Sequence, residues 1–82
     1  MDLFDYTYDI LIRNHENMLE AAACRMSHND DEPIEDRQIK ALSDVLTRTL
    51  EDDENANLDQ FTEKQIAKVC YDVAEDFIRN EI

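Results

Sequence analysis

Glycine is absent from this chain of 82 residues, and proline occurs once. Without glycine there can be no phosphate-binding loop, no dinucleotide-binding fingerprint and no nucleophile elbow, because each of these motifs needs glycine at a tight turn. Any backbone position with positive φ would have to be taken by Asn or Asp. The alternation of β-branched and polar residues that is typical of strands is missing as well. These absences favour helices joined by polar turns.

Basic residues are also scarce. The chain has 8 Lys and Arg against 21 Asp and Glu, which gives a formal net charge of −13. Nucleic acid and anionic membranes would repel such a chain, so we expect no direct contact with nucleic acid and no membrane association. The natural partner is a basic protein surface, which long-range attraction would help the chain to find.

The length predicts a single acidic helical domain over residues 1–82. A chain of this size buries only about 60% of its unfolded surface, so a homodimer would add stability. Apolar residues make up 43% of the sequence and recur at helical spacing, which argues against disorder. No apolar run approaches the roughly 20 residues that cross a bilayer, and Met1 is followed by Asp2 instead of the basic and apolar segments of a signal peptide. We therefore expect a cytoplasmic protein.

The apolar periodicity predicts three helices, over residues 2–27, 34–50 and 62–80. Pro33 suits the start of the second helix. Thr62 and Gln65 have the spacing of a capping box at the start of the third. Three helices with short connections predict an all-α, up-down-up three-helix bundle, with a homodimer as an option.

The first predicted helix is apolar on more than one side. Its main stripe runs through Phe4, Tyr8 and Leu11, whereas several large apolar residues lie off that stripe. An ordinary surface helix has one apolar stripe, so either the helix is buried between two others or it contacts another chain. The candidate apolar interface is Leu3, Phe4, Tyr6 and Ile10.

The acids are concentrated in two segments: five fall in residues 28–36 and six in residues 51–63, with no base in either segment. Helix capping explains most of the first group, since acids are stabilising near a helix N-terminus. It does not explain residues 51–54, which follow the predicted end of the second helix. That run either keeps the chain soluble or binds a partner, with metal binding a distant third alternative. The candidate partner-binding acids are Asp5, Asp9, Glu16, Glu20, Asp30, Asp31, Glu32, Glu51, Asp52, Asp53 and Glu54.

No metal, cofactor or catalytic site is predicted. Residues 53–59 place Asp and Asn at four calcium-ligand offsets of an EF-hand loop, but Leu58 stands where glycine is needed and Lys64 where a bidentate glutamate is needed. Cys24 and His28 lack the further ligands of a zinc site. Carboxylate pairs carry no information in so acidic a chain, and we expect that the protein is not an enzyme.

In size, acidity and lack of a catalytic motif, the chain resembles the small acidic proteins that phages use against restriction or CRISPR systems. The resemblance is one of composition and covers the whole chain. It implies an inhibitor or DNA mimic that occupies the basic nucleic-acid-binding surface of a partner, in the host cytoplasm if the gene belongs to a phage. The alternative is a helical interaction module, an adaptor or antitoxin-like subunit or a homodimer, that uses the apolar face of the first helix.

Overall fold

The computed structural model describes residues 2–26, 28 and 30–81, and these contain four helices and no strand. The helices are α1 (Leu3–Arg13), α2 (His15–Arg25), α3 (Ile34–Asp52) and α4 (Glu63–Glu81). The predicted all-helical class is confirmed. The predicted three-helix bundle is wrong, because the helix expected over residues 2–27 is two helices; Ser27, its expected last residue, lies outside the described residues.

Asn14 separates α1 from α2. Its backbone leaves the helical region, with φ −127° and ψ 24°, and its N–H is shared between the carbonyls of Ile10 and Leu11 at 3.2 Å each. The Asn14 side-chain amide also donates to the Ile10 carbonyl at 3.3 Å. Asparagine often competes with the helical ladder in this way, and here the competition ends one helix and lets another begin.

The core lies around the pair α3 and α4, which make the most extensive helix contact in the molecule. They run antiparallel, since Arg79 near the end of α4 pairs with Glu35 near the start of α3 at 3.4 Å. The predicted stripes of both helices supply most of the buried side chains. Fully or nearly fully buried residues of the two helices include Ile39, Leu42, Leu46, Leu50, Ile66, Cys70, Val73, Phe77 and Ile78.

The break at Asn14 sends the two short helices to different neighbours: α1 packs mainly on α4, and α2 packs mainly on α3. Leu3 at the start of α1 lines a cleft with Gln60 and Phe61, which precede α4. The ring centroid of His15, just after α1, lies 6.2 Å from that of Phe77 near the end of α4, so α1 runs in the same direction as α4. The side chains that α1 buries completely are Thr7 and Leu11. The predicted stripe through Phe4 and Tyr8 is therefore off-centre, because these two rings are only half-buried.

The capping box at the start of α4 is confirmed. The Gln65 N–H donates to the Thr62 hydroxyl at 3.1 Å, and the Thr62 N–H donates to the Gln65 side-chain oxygen at 2.8 Å. Each bond satisfies a backbone donor that the first turn of a helix leaves free. The ends of α3 and α4 agree with the predicted bounds to within two residues.

None of the helices in the described segments combines the length and the apolar character needed to cross a membrane.

Candidate protein-binding surface

Seven of the eleven candidate acids are exposed and form no ion pair within the described part of the chain. We call these seven the surplus acids. They lie on α1, on α2, in the connection before α3 and around the end of α3. The surplus acids are Asp5, Glu16, Glu20, Asp30, Glu51, Asp52 and Glu54.

The other four candidate acids interact with neighbours in the chain. Asp9 pairs with Arg13 one turn later at 2.7 Å, and Glu32 pairs with Lys40 at 2.6 Å. Asp31 is exposed but also has a contact of its own within the chain. Asp53 has a structural role, described below.

At least six of the eight Lys and Arg residues are in ion pairs with acids of the same chain. Arg25 of α2 and Arg48 of α3 share the Asp44 carboxylate at 3.0 and 3.4 Å, which links the two helices. Arg79 contacts both Glu35 and Glu75. Exposed pairs of this kind add little stability. Their consequence here is that few cations remain to neutralise the surplus acids.

Glu51 and Asp52 belong to the last turn of α3, which continues two residues beyond its predicted end. That turn, all of which the structure describes, holds no basic residue. The helix dipole places partial negative charge at this end, so both carboxylates lie where the fold disfavours them. Their position is therefore not explained by helix stability.

Asp53 joins the end of α3 to α1. The Tyr6 hydroxyl donates to Asp53 Oδ2 at 2.5 Å, and the Asn55 N–H donates to Asp53 Oδ1 at 2.9 Å. The hydrogen bond from Tyr6 and then the one from Asn55 lower the pKa of the Asp53 carboxyl. The same bond to Asp53, helped by partial burial, raises the pKa of Tyr6. Two residues that the sequence assigned to different candidate surfaces thus form one internal contact.

The candidate apolar interface is partly used by the molecule's own fold. Leu3, Phe4, Tyr6 and Ile10 are all half-buried against the core. The large apolar side chains with greater exposure are Ile12, which is 44% exposed, and Ile34, which is 57% exposed. Neither belonged to the predicted interface; their exposure depends on which face of each helix packs inward.

The structure contains a sizeable cleft near the start of α1. This cleft of about 380 Å³ lies between the start of α1 and residues 55–57 and 60–61, and it is open to solvent. Its walls are side-chain amides, apolar groups, the Tyr6 phenol and the Asp2 carboxylate. The residues that the structure describes include no group of three or more His, Cys, Asp or Glu side chains arranged to hold a metal ion. Cys70 is buried in the core, and burial raises the pKa of its thiol.

Comparison with known proteins found no relative: no family model, no curated protein and no solved structure matches this chain.

Proposed function

We propose that this protein is an acidic inhibitor that binds the basic, nucleic-acid-binding surface of a partner protein and excludes the nucleic acid. It would do so without catalysis, as a decoy or DNA mimic of the kind that phages use against restriction or CRISPR systems. The observation that carries the proposal is the set of seven surplus acids, which are exposed and have no ion pair with any residue that the structure describes.

Charge placement supports the proposal. Asp30 precedes α3, and Glu51, Asp52 and Glu54 surround its end, so acids stand at both ends of a helix of 19 residues. At about 1.5 Å per residue these ends are about 27 Å apart, a length along which one DNA strand carries about eight phosphates. Four of the seven surplus acids stand at these ends, and the other three lie on α1 and α2. Each would take the place of a phosphate and face a Lys or Arg of the partner.

The test is a pull-down with the purified protein as bait, carried out at about 50 mM and about 500 mM salt. We expect the captured protein to bind nucleic acid, to be released by duplex DNA, and to be lost at the higher salt, because salt screens exposed charges. Capture that is equally strong at both salt concentrations would contradict the proposal, as would a captured protein that DNA does not displace.

A charge variant makes the test specific. The triple variant Glu51→Gln, Asp52→Asn, Glu54→Gln removes three surplus acids and leaves Asp53 to hold Tyr6. The matched control Glu51→Asp, Asp52→Glu, Glu54→Asp keeps the charge and changes only its position. We expect the neutral variant to bind more weakly and with a shallower salt dependence, and the control to bind normally. Since these acids oppose the dipole of α3, the neutral variant should be at least as stable as the original chain.

The alternative proposal is a helical interaction module or homodimer that uses Leu3, Phe4, Tyr6 and Ile10. Its support is that these four side chains, though packed against the core, are only half-buried. Sedimentation at micromolar concentration tests the homodimer directly. A monomer under those conditions would remove it, whereas a dimer that is insensitive to salt would favour apolar contact over charge.

A further inference from the structure

One side of α1 carries an apolar row that the core covers only in part. Phe4, Tyr8 and Ile12 are four residues apart and stand one above another on the helix. The Phe4 and Tyr8 rings stack with their centroids 6.0 Å apart and their planes inclined by 26°. Both rings are half-buried, and Ile12 at the end of the row is 44% exposed. We call this row the outer face of α1.

Acids border the outer face on both sides. Successive residues of a helix are about 100° apart around its axis. Going around α1, the outer face therefore lies next to the buried row of Thr7 and Leu11, and Asp5 and Asp9 lie on the far side of the outer face. On the other side, Asp76 of α4 lines the same shallow depression of about 450 Å³.

One of these border acids is compensated and two are not. Arg13 pairs with Asp9 at 2.7 Å. Asp5 and Asp76 are exposed and have no ion pair in the described segments, although Asp76 accepts a hydrogen bond from the Asn80 amide at 2.7 Å. The outer face therefore combines an apolar centre with a net negative border.

We propose that the outer face of α1 docks a cationic amphipathic helix of the partner. This inference rests on the proposed function, since it names the segment that a basic partner would offer. Apolar side chains of the incoming helix would cover Phe4, Tyr8 and Ile12, and its Lys or Arg residues would meet Asp5 and Asp76. A second copy of this chain is a poorer occupant, because it would bring the same acidic borders together.

The length of the face sets the size of the incoming helix. Phe4 and Ile12 are eight residues apart, which corresponds to about 12 Å along α1. The partner helix must therefore present at least about two turns, with apolar residues spaced by three or four and basic residues on both sides of them.

The direct test uses a synthetic Lys/Leu peptide of about 15 residues, long enough to form a helix, whose leucines fall on one face. A scrambled peptide of the same composition keeps the charge and loses the face. On the full-length protein labelled with ¹⁵N, we expect the first peptide to shift the amide signals of residues 4–12 and 76 and the scrambled peptide to bind at least about tenfold more weakly. Equal binding of the two peptides, or shifts confined to residues 30–32 and 51–54, would overturn the proposal.

Matched variants distinguish binding at the outer face of α1 from binding to negative charge anywhere on the protein. Ile12→Asn should weaken the helical peptide about tenfold, while Ile34→Asn, at the more exposed isoleucine, should change it by less than about twofold. Asp5→Asn with Asp76→Asn should weaken binding more than Asp30→Asn with Asp52→Asn, which removes the same charge elsewhere. Circular dichroism would verify that each variant is folded.

The same variants distinguish the two proposals when the partner captured by pull-down replaces the peptide. In one outcome the partner binds in a salt-dependent manner, but the Ile12 and Ile34 variants weaken its binding equally, and so do the two charge variants. In that case the inhibitor proposal stands and the docking proposal for the outer face is wrong. If no basic partner is captured but the peptide still binds the face selectively, the inhibitor proposal fails and the docking face stands.

Discussion

Leu11 is the main apolar anchor of α1, and replacing it tests how that helix is held. Its side chain is 0% exposed, and the other side chain that α1 buries completely is the smaller, polar Thr7. Leu→Ala substitutions at such sites cost about 2–5 kcal/mol, since the lost burial is joined by the energy of the cavity. A domain of 82 residues has a total stability of about 4–12 kcal/mol. We therefore expect Leu11→Ala to remove a large fraction of the free energy of unfolding.

Urea unfolding followed by circular dichroism measures the global effect, and hydrogen exchange measures where it acts. Because α1 contacts the rest of the molecule mainly through α4, we expect amide protection to fall further in α1 than in α3. The control is Ile12→Ala, one residue away and 44% exposed, which should cost about 1 kcal/mol or less. A cost for Leu11→Ala that is no greater than that of the control would refute the packing argument.

Three further predictions concern other parts of the molecule. Tyr6→Phe removes the hydrogen bond to Asp53. Because folding lowers the pKa of Asp53, the stabilisation that this bond gives is present above the unfolded carboxyl pKa of about 3.9 and is lost as pH falls through the folded pKa. Because folding raises the pKa of Tyr6, the same stabilisation is present below about pH 10 and is lost as pH rises further. The difference in unfolding free energy between the original chain and the variant should therefore form a plateau between about pH 5 and pH 9. A difference that does not shrink in acid would contradict this. Thr62→Ala removes one half of the capping box and should cost about 1 kcal/mol in urea unfolding, and no measurable cost would mean that the bond contributes nothing. A thiol reagent should modify the exposed Cys24 rapidly and the buried Cys70 only after unfolding, and equal rates would show that the core opens readily.

The elements that the sequence predicted well are those that depend on near neighbours. The stripes of α3 and α4 follow from side chains three and four residues apart, and the capping box joins two residues that are three apart. The break at Asn14 was missed because the apolar spacing continues across it, through Leu11, Met18 and Ala22. A polar residue inside an apolar pattern was the available signal, since Asn often ends a helix.

The candidate site divides in the same way. The excess of acids follows from composition. Most of the candidate acids lie exposed on the surface, outside the ion pairs of the described chain. Thr7 was not expected in the core, because a polar side chain gives no apolar signal. The outer face of α1 was likewise not expected, since a side chain's exposure depends on which other helix covers it.

The sequence by itself determined that this chain is helical, where α3 and α4 begin and end, and that it carries a large excess of negative charge. These properties depend on residue type and on spacing within a few turns. Only the tertiary structure decided which acids remain without a cation and which face of α1 stays open. Those outcomes depend on contacts between residues far apart in the chain, such as Arg25 with Asp44 and Tyr6 with Asp53, which arise when the helices pack.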